Sequence, residues 1–203
     1  IGGVQGNLSI GDHCVISTRA NTQVNCEVVG FSNGNVLAMP FGSLDGIGMG
    51  CKAEVGNADP AIYPDMSWLG RVLNAFGEPI DGQGPLQVGN QAYPIRNSPP
   101  PSHKRQRVGE KLDLGVRAIN TFLTCCEGQR MGIFAGSGIG KSSILSMMAR
   151  HTSADVGVIG MIGERGREAR EFIEDHLGEE GLAKSVVVVA TSDEPPLVRR
   201  QAA

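Results

Sequence analysis

Aromatic residues are scarce in this chain, 4% with one tryptophan, while glycine is abundant at 29 of 203 residues. That balance suits a loop-rich α/β protein rather than a disordered one. A large excess of charge of one sign is also lacking. Eighteen basic residues face 21 acidic ones for a net charge of −3, which gives no reason to expect nucleic acid as the main partner. No apolar run is long enough to span a bilayer, and no leader with basic, apolar and small-residue regions is present, so a soluble protein is expected. The five cysteines form no C-x-x-C pair and are odd in number, which argues against a disulfide framework and a zinc site. Reduced thiols in a cytoplasm are the expected state. What is present, a hydrophobic fraction of 40%, is compatible with a packed core in one large or two small domains.

The most informative stretch is Ala135-Gly136-Ser137-Gly138-Ile139-Gly140-Lys141-Ser142-Ser143. It lies between an apolar run, Arg130 to Ala135, read as a strand, and an apolar-periodic segment from Lys141 to Arg150, read as a helix. Strand, glycine loop and helix in that order make a phosphate-binding loop. The first amides of a helix have no partner within it and sit at the positive end of its dipole, so they suit an anion. Glycines let the backbone close on phosphate oxygens. Gly136, Ser137, Gly138, Ile139, Gly140, Lys141, Ser142 and Ser143 are therefore the candidate nucleotide-binding residues, Lys141 for the β- and γ-phosphates and Ser142 as a Mg²⁺ ligand. Alanine at 135 replaces the first glycine of the general pattern.

Ahead of this loop, residues 1 to 95 read as short strands and turns. Cys14–Ser17, Val24–Val29 and Val36–Met39 are strand candidates, with Asn33-Gly34 as a two-residue hairpin signal, and a small β-barrel or sandwich is expected. His13 has no acidic or cysteine neighbour at a useful spacing and reads as a surface or hydrogen-bonded histidine. The apolar run around Trp68, taken as a core residue, ends in the turn signals Gly77-Glu78-Pro79 and Asp81-Gly82. Residues 96–110 contain three consecutive prolines and the basic cluster His103 to Arg107 without interleaved aromatics, read as a solvated linker rather than an RNA or lipid contact. A second domain, 111–203, opens with helical spacing at Leu112, Val116, Ile119 and Leu123, followed by Cys125 and Cys126 as packing residues.

Beyond the loop, Val156–Ile162 reads as a strand ending in Gly163-Glu164-Arg165-Gly166, Ala169–Leu177 as an amphipathic helix stopped by Gly178, and Val186–Ala190 as a buried parallel strand. Ligands of open α/β sheets bind at the carboxyl edge of the strands. Position alone leaves two readings of Glu164 and Arg165 open: a catalytic carboxylate with a phosphoryl-stabilising guanidinium, or a charged turn in solvent.

Several separated motifs together resemble the catalytic subunits of the rotary ATPase family and their secretion relatives. Leu69-Gly70-Arg71-Val72-Leu73 through Pro79-Ile80-Asp81-Gly82 looks like the family signature at the end of its β-barrel domain, and Gly128-Gln129-Arg130 and Gly163-Glu164-Arg165 match as well. Ala135, Ser142 and Gly166 are similar to the flagellum-specific and type III secretion branch, and Arg150-His151-Thr152, Glu171 to Asp175 and Ala190 to Pro195 are similar to the flagellar export ATPases in particular, which implies a role in flagellar protein export; Ala135 and Gly166 disfavour a proton-driven synthase subunit.

The resemblance implies a small N-terminal β-barrel followed by a P-loop (RecA-like) nucleotide-binding domain with a mainly parallel sheet. It implies ATP hydrolysis with Mg²⁺ by a cytoplasmic homohexamer, peripheral at the inner membrane. Its implied partners are a stator-like regulator, a central stalk, chaperone–substrate complexes and the export gate. It carries Lys141 and Ser142 over as phosphate and Mg²⁺ contacts, Glu164 as the catalytic carboxylate and Arg165 as a phosphate contact. An injectisome ATPase is the nearest rival reading, and a nucleotide-gated assembly protein is a rival of another class. Both ends of the chain read as cut, and a piece lacking the family's second Mg²⁺-organising aspartate, arginine finger, adenine contacts and helical C-terminal domain is expected to bind nucleotide weakly and turn over poorly.

Overall fold

The computed structural model describes residues 1–2, 8–56, 61–136 and 138–203. Three strands follow one another at the start: β1 (His13–Ser17), β2 (Gln23–Ser32) and β3 (Asn35–Pro40). β4 (Ala53–Val55) closes the far edge, giving an antiparallel sheet in the order β3-β2-β1-β4. Asn33 and Gly34 turn the β2–β3 hairpin with φ of 49° and 72°, the left-handed pair that a two-residue loop between twisted strands requires. Among the described residues this sheet is open, so the closed barrel anticipated from sequence is not seen in it.

Cys14 and Cys26 face each other in register, and both are buried against Ile16. Burial raises both thiols, Cys26 to about 11, which keeps them as small apolar packing groups. His13 differs from its sequence reading. Its ring packs at 5.2 Å against Phe41, and its buried Nε2 has no hydrogen-bond partner among the described residues.

The Trp68 region is built of short pieces: a two-residue ladder between β5 (Ala61–Ile62) and β7 (Tyr93–Pro94), and between them in the chain β6 (Val72–Leu73). Trp68 is buried, with its indole N–H donating to Gln87 O at 2.7 Å. β6 then joins the second sheet, whose order is β6-β9-β8, all parallel, built with β8 (Gly157–Ile162) and β9 (Ser185–Ala190). The central strand β9 is the most enclosed, with Ser185 and Val187 fully buried, which is why its sequence is almost uninterrupted valine.

The segment from Leu69 to Gly82 has a physical reading here. Arg71 and Asp81 make a two-pronged pair, Nε to Oδ2 at 2.7 Å and Nη2 to Oδ1 at 2.9 Å, with both side chains almost buried. Asp81 also accepts from the amides of Val72 and Gln83, and Arg71 donates to Gly84 O. The carboxylate receives two guanidinium and two backbone donors, so its charge is satisfied where it is buried. The pair pins the turn that sets β6 beside β9. The hydrogen bonds of Arg71 hold the Asp81 carboxyl far below the usual range, against the opposing effect of burial.

Helices α1 (Arg117–Phe122), α2 (Lys141–His151), α3 (Gly166–Glu171), α4 (Gly178–Ala183) and α5 (Pro196–Ala202) complete the chain. Three sequence expectations are corrected. The helix expected from Leu112 begins only at Arg117, because the Asp113 carboxylate captures the Gly115 amide at 2.7 Å and the Asn120 side chain at 2.6 Å and folds the preceding residues into a turn. The segment read as a strand before the glycine loop, Arg130 to Ala135, carries no strand pairing among the described residues; nothing lies beside it to complete a ladder, and Phe134 is 97% exposed. The amphipathic helix does run from Gly166 to Leu177, but its second half, Phe172–Leu177, is wound as a π-helix, and a new short helix starts where Gly178 stops it. Its inner face is the expected one: Phe172 and Leu177 pack with Val72 and Val187. Among the described residues no helix is long and apolar enough to cross a membrane.

Candidate nucleotide-binding site

α2 starts abruptly. Gly138 and Gly140 have φ of 74° and 89°, values that would strain any residue with a Cβ, and Gly140 is the residue at which the chain turns into the helix. Among the described residues no side chain caps that end, and no acidic residue sits in its first turn. The first helical bond into this turn is Ile144 N–H to Gly140 O, which leaves the amides of Lys141, Ser142 and Ser143 ahead of it. A helix start without an acidic residue of its own and reached through glycines is suited to take an anion. Ile139 is exposed and Gly136 stands at the loop's entry; Ser137 lies outside the described residues.

Opposite this helix start stands the end of β8. Gly163 N–H donates to Ala190 O and Ser192 N–H donates to Glu164 O, both at 2.8 Å, so the Glu164 backbone is tied to the chain leaving β9. The Glu164 carboxylate lies 3.8 Å from Lys141 Nζ, with both side chains about 40% exposed. Lys141, Ser142 and Glu164 share one groove of about 420 Å³ with Leu145, Met161 and Ile162. The larger hollow, about 1010 Å³ around Cys14 and Cys51, holds none of these groups. Arg165 behaves differently: its side chain is 76% exposed and pairs with Glu168 at 3.9 Å along α3. The loop after β9 is held in shape by Thr191 Oγ1–H donating to Asp193 at 2.6 Å, which lowers the Asp193 carboxyl below its ordinary value.

The structure therefore brings Lys141, Ser142 and Glu164 together and leaves Arg165 on the helix surface. Sequence reasoning missed a second cluster. Glu27 on β2 is 97% enclosed and is paired by Arg96 at 2.7 Å and by Arg200 of α5. Its signal was legible: one carboxylate inside the apolar run Val24 to Val29 needs buried partners.

A parallel sheet with an uncapped, glycine-led helix start facing a carboxylate at the sheet's carboxyl edge defines a nucleotide-binding α/β protein of the phosphate-loop class. Residues 115–203 match the model of the ATP synthase alpha/beta family, nucleotide-binding domain. The chain is 55% identical over 97% of its length to a flagellum-specific ATP synthase of Caulobacter vibrioides, and 45% identical over its whole length to a type 3 secretion system ATPase of Xanthomonas euvesicatoria. It covers 44% and 46% of those two relatives, so it spans less than half of the curated proteins it matches. Among solved structures it is similar to the assembled ATPase EscN in complex with its central stalk EscO, from the type III secretion system of enteropathogenic E. coli. The TM-score there is 0.84 at 36% identity, over 97% of this chain and 47% of that one. Over residues 115–203 the chain is thus similar to the nucleotide-binding domain of the ATP synthase alpha/beta family.

Proposed function

We propose that this chain is the nucleotide-binding part of an ATPase that couples ATP hydrolysis to flagellar protein export through a type III apparatus. The observation that carries the reading is the meeting of Lys141 and Glu164 at the uncapped start of α2, in a chain most of whose named relatives are flagellum-specific. The first amides of α2 receive phosphate oxygens, and Lys141 offsets the charge of the β- and γ-phosphates. Phosphate competes with Glu164 for Lys141 and frees the carboxylate. Glu164 then orients a water and accepts its proton as the water oxygen bonds to the γ-phosphorus and the bond to the β-phosphate bridging oxygen breaks, leaving ADP and phosphate. The anion-ready helix start and the Ser142 hydroxyl beside Glu164 fit a Mg²⁺–nucleotide: Ser142 would hold the ion, which supplies charge neutralisation of the phosphates. Arg165 stands one residue away and contributes phosphoryl charge stabilisation once it leaves Glu168.

In this reading the antiparallel sheet belongs to a small β-barrel domain, residues 1–95, joined by the 96–110 linker to a RecA-like domain from 111. The whole protein works as a homohexamer, peripheral at the cytoplasmic face of the inner membrane, with a stalk, a regulator, chaperone–substrate complexes and the export gate as partners. The type 3 secretion relative and the EscN likeness favour one second reading, an injectisome ATPase of the same mechanism. A chromosomal Glu164→Gln substitution in the full-length gene tests both the chemistry and the pathway. Lost flagellin secretion and motility with normal respiratory growth is the expected result. Normal motility with failed respiratory growth would assign the protein to a proton-translocating synthase instead, and normal motility with lost injectisome secretion to the second reading.

A further inference from the structure

Glu27 is the one carboxylate of the antiparallel sheet that is fully enclosed, and its two oxygens go to two different places. Oε1 takes Arg96, from the segment that leads into the proline linker, at 2.7 Å; Oε2 takes Arg200, from α5. Burial by itself would raise the Glu27 carboxyl, but the hydrogen bonds from Arg200 and Arg96 outweigh it, and the group sits below its ordinary value and stays ionised. Arg96 also donates to Gly11 O at 3.3 Å, in a spot where any Cβ on residue 11 would collide with the guanidinium. Beside this cluster the apolar contact between the sheets is thin: Phe41, from the end of β3, meets Ala75, Ala190, Leu197 and Val198, and packs edge-on against Phe76 at 5.4 Å. α5 follows directly on the Thr191–Pro195 loop, and that loop donates the Ser192 amide to Glu164 O.

We propose that Glu27 is the anionic hub of a clasp that fastens α5 to the antiparallel sheet, and that through α5 it fixes the loop against which the Glu164 backbone is held. Glu27 and Arg200 are positioning residues: neither reaches the groove of Lys141, and both act on it through the 191–200 segment. The clasp is polar where the surrounding contact is small and apolar, so it can open and reclose without unfolding either sheet. Three segments meet on one carboxylate, which makes the attachment of α5 sensitive to a single side chain. This coupling stands on the fold and is independent of which phosphate ligand the groove takes.

Backbone hydrogen exchange on the whole chain, resolved by peptide, tests it in Glu27→Gln, Arg200→Met, Arg96→Met and the Glu27→Gln/Arg200→Met double variant. Losing one charge-assisted hydrogen bond corresponds to a change of roughly tenfold or more, so Arg200→Met should speed exchange across residues 192–202 by about that factor while β8 and β9 keep their protection. Arg96→Met should loosen the linker side and change 192–202 by less than about twofold. The double variant should match Glu27→Gln alone, because both changes break the same contact. If Glu27→Gln unfolds the chain, Arg200→Met decides, since it leaves Glu27 paired with Arg96. Unchanged exchange at 192–202 in Arg200→Met, or effects of the two substitutions that simply multiply in the double variant, overturns the proposal.

Discussion

Two acid–base pairs of this chain make opposite use of the same chemistry. Arg71 and Asp81 are nearly buried, meet through two short bonds and make further hydrogen bonds to the backbone. Lys141 and Glu164 meet through a single contact of 3.8 Å, stand about 40% exposed and lie in an open groove. A tight, saturated pair has no capacity left for a ligand and serves the fold. A loose pair at a helix start keeps its charge available, and exposed pairs of this kind contribute little to stability. The comparison separates architecture from chemistry inside one chain.

It can be broken most easily at the tight pair. Asp81→Ala leaves the nearly buried Arg71 without its carboxylate partner and should cost about 3–5 kcal/mol in urea unfolding, enough to threaten the native state. Lys141→Ala should leave the urea midpoint almost unmoved while weakening ATP binding by roughly ten- to a hundredfold, the loss of one charge-assisted contact, measured by calorimetric titration. If instead Lys141→Ala destabilised as much as Asp81→Ala, the distinction would fail.

Acid sharpens the same contrast. Asp81 and Glu27 both titrate below their ordinary values in the folded chain, so the unfolded chain takes up their protons first as pH falls. Their stabilisation is complete above the unfolded carboxylate range, about 4, and is lost as pH drops below it toward the folded values. Urea midpoints should therefore fall steeply below about pH 4 in the parent and less steeply in Asp81→Asn, which has already lost one of the two contributions. The smallest effect belongs to a neutral contact. Ser185→Ala removes the buried hydroxyl bond to Gly181 O, 2.8 Å long, and should cost about 1 kcal/mol in the same unfolding series.

Much of this arrangement was legible in the sequence because it depends on local chemistry. The Asn33-Gly34 hairpin, the valine-rich central strand and the glycine-led helix start each follow from what the backbone allows at those residues. Partners distant in the chain were not legible. That β6, ahead of the linker, pairs with β9 as well as with the nearby Pro79 turn depends on Arg71 finding Asp81 and on Val187 N–H donating to Arg71 O. The Leu112 helix failed because one aspartate outbid the apolar spacing, and Arg130 to Ala135 failed because a strand is a property of its neighbours as much as of its own residues. Lys141 and Glu164 were each singled out from motifs, but their convergence required the β8–β9 register and the two bonds that tie Gly163 and Glu164 to the chain leaving β9.

The most direct test of the division between the two pairs is single-turnover phosphate release from bound ATP in full-length protein carrying Glu164→Gln, read together with ATP affinity. The substitution keeps the shape of the side chain and removes its charge. Affinity within a few-fold of the parent with release slowed by at least about a hundredfold is the predicted result. Release at the parental rate would contradict it and return Glu164 to the role of a charged turn.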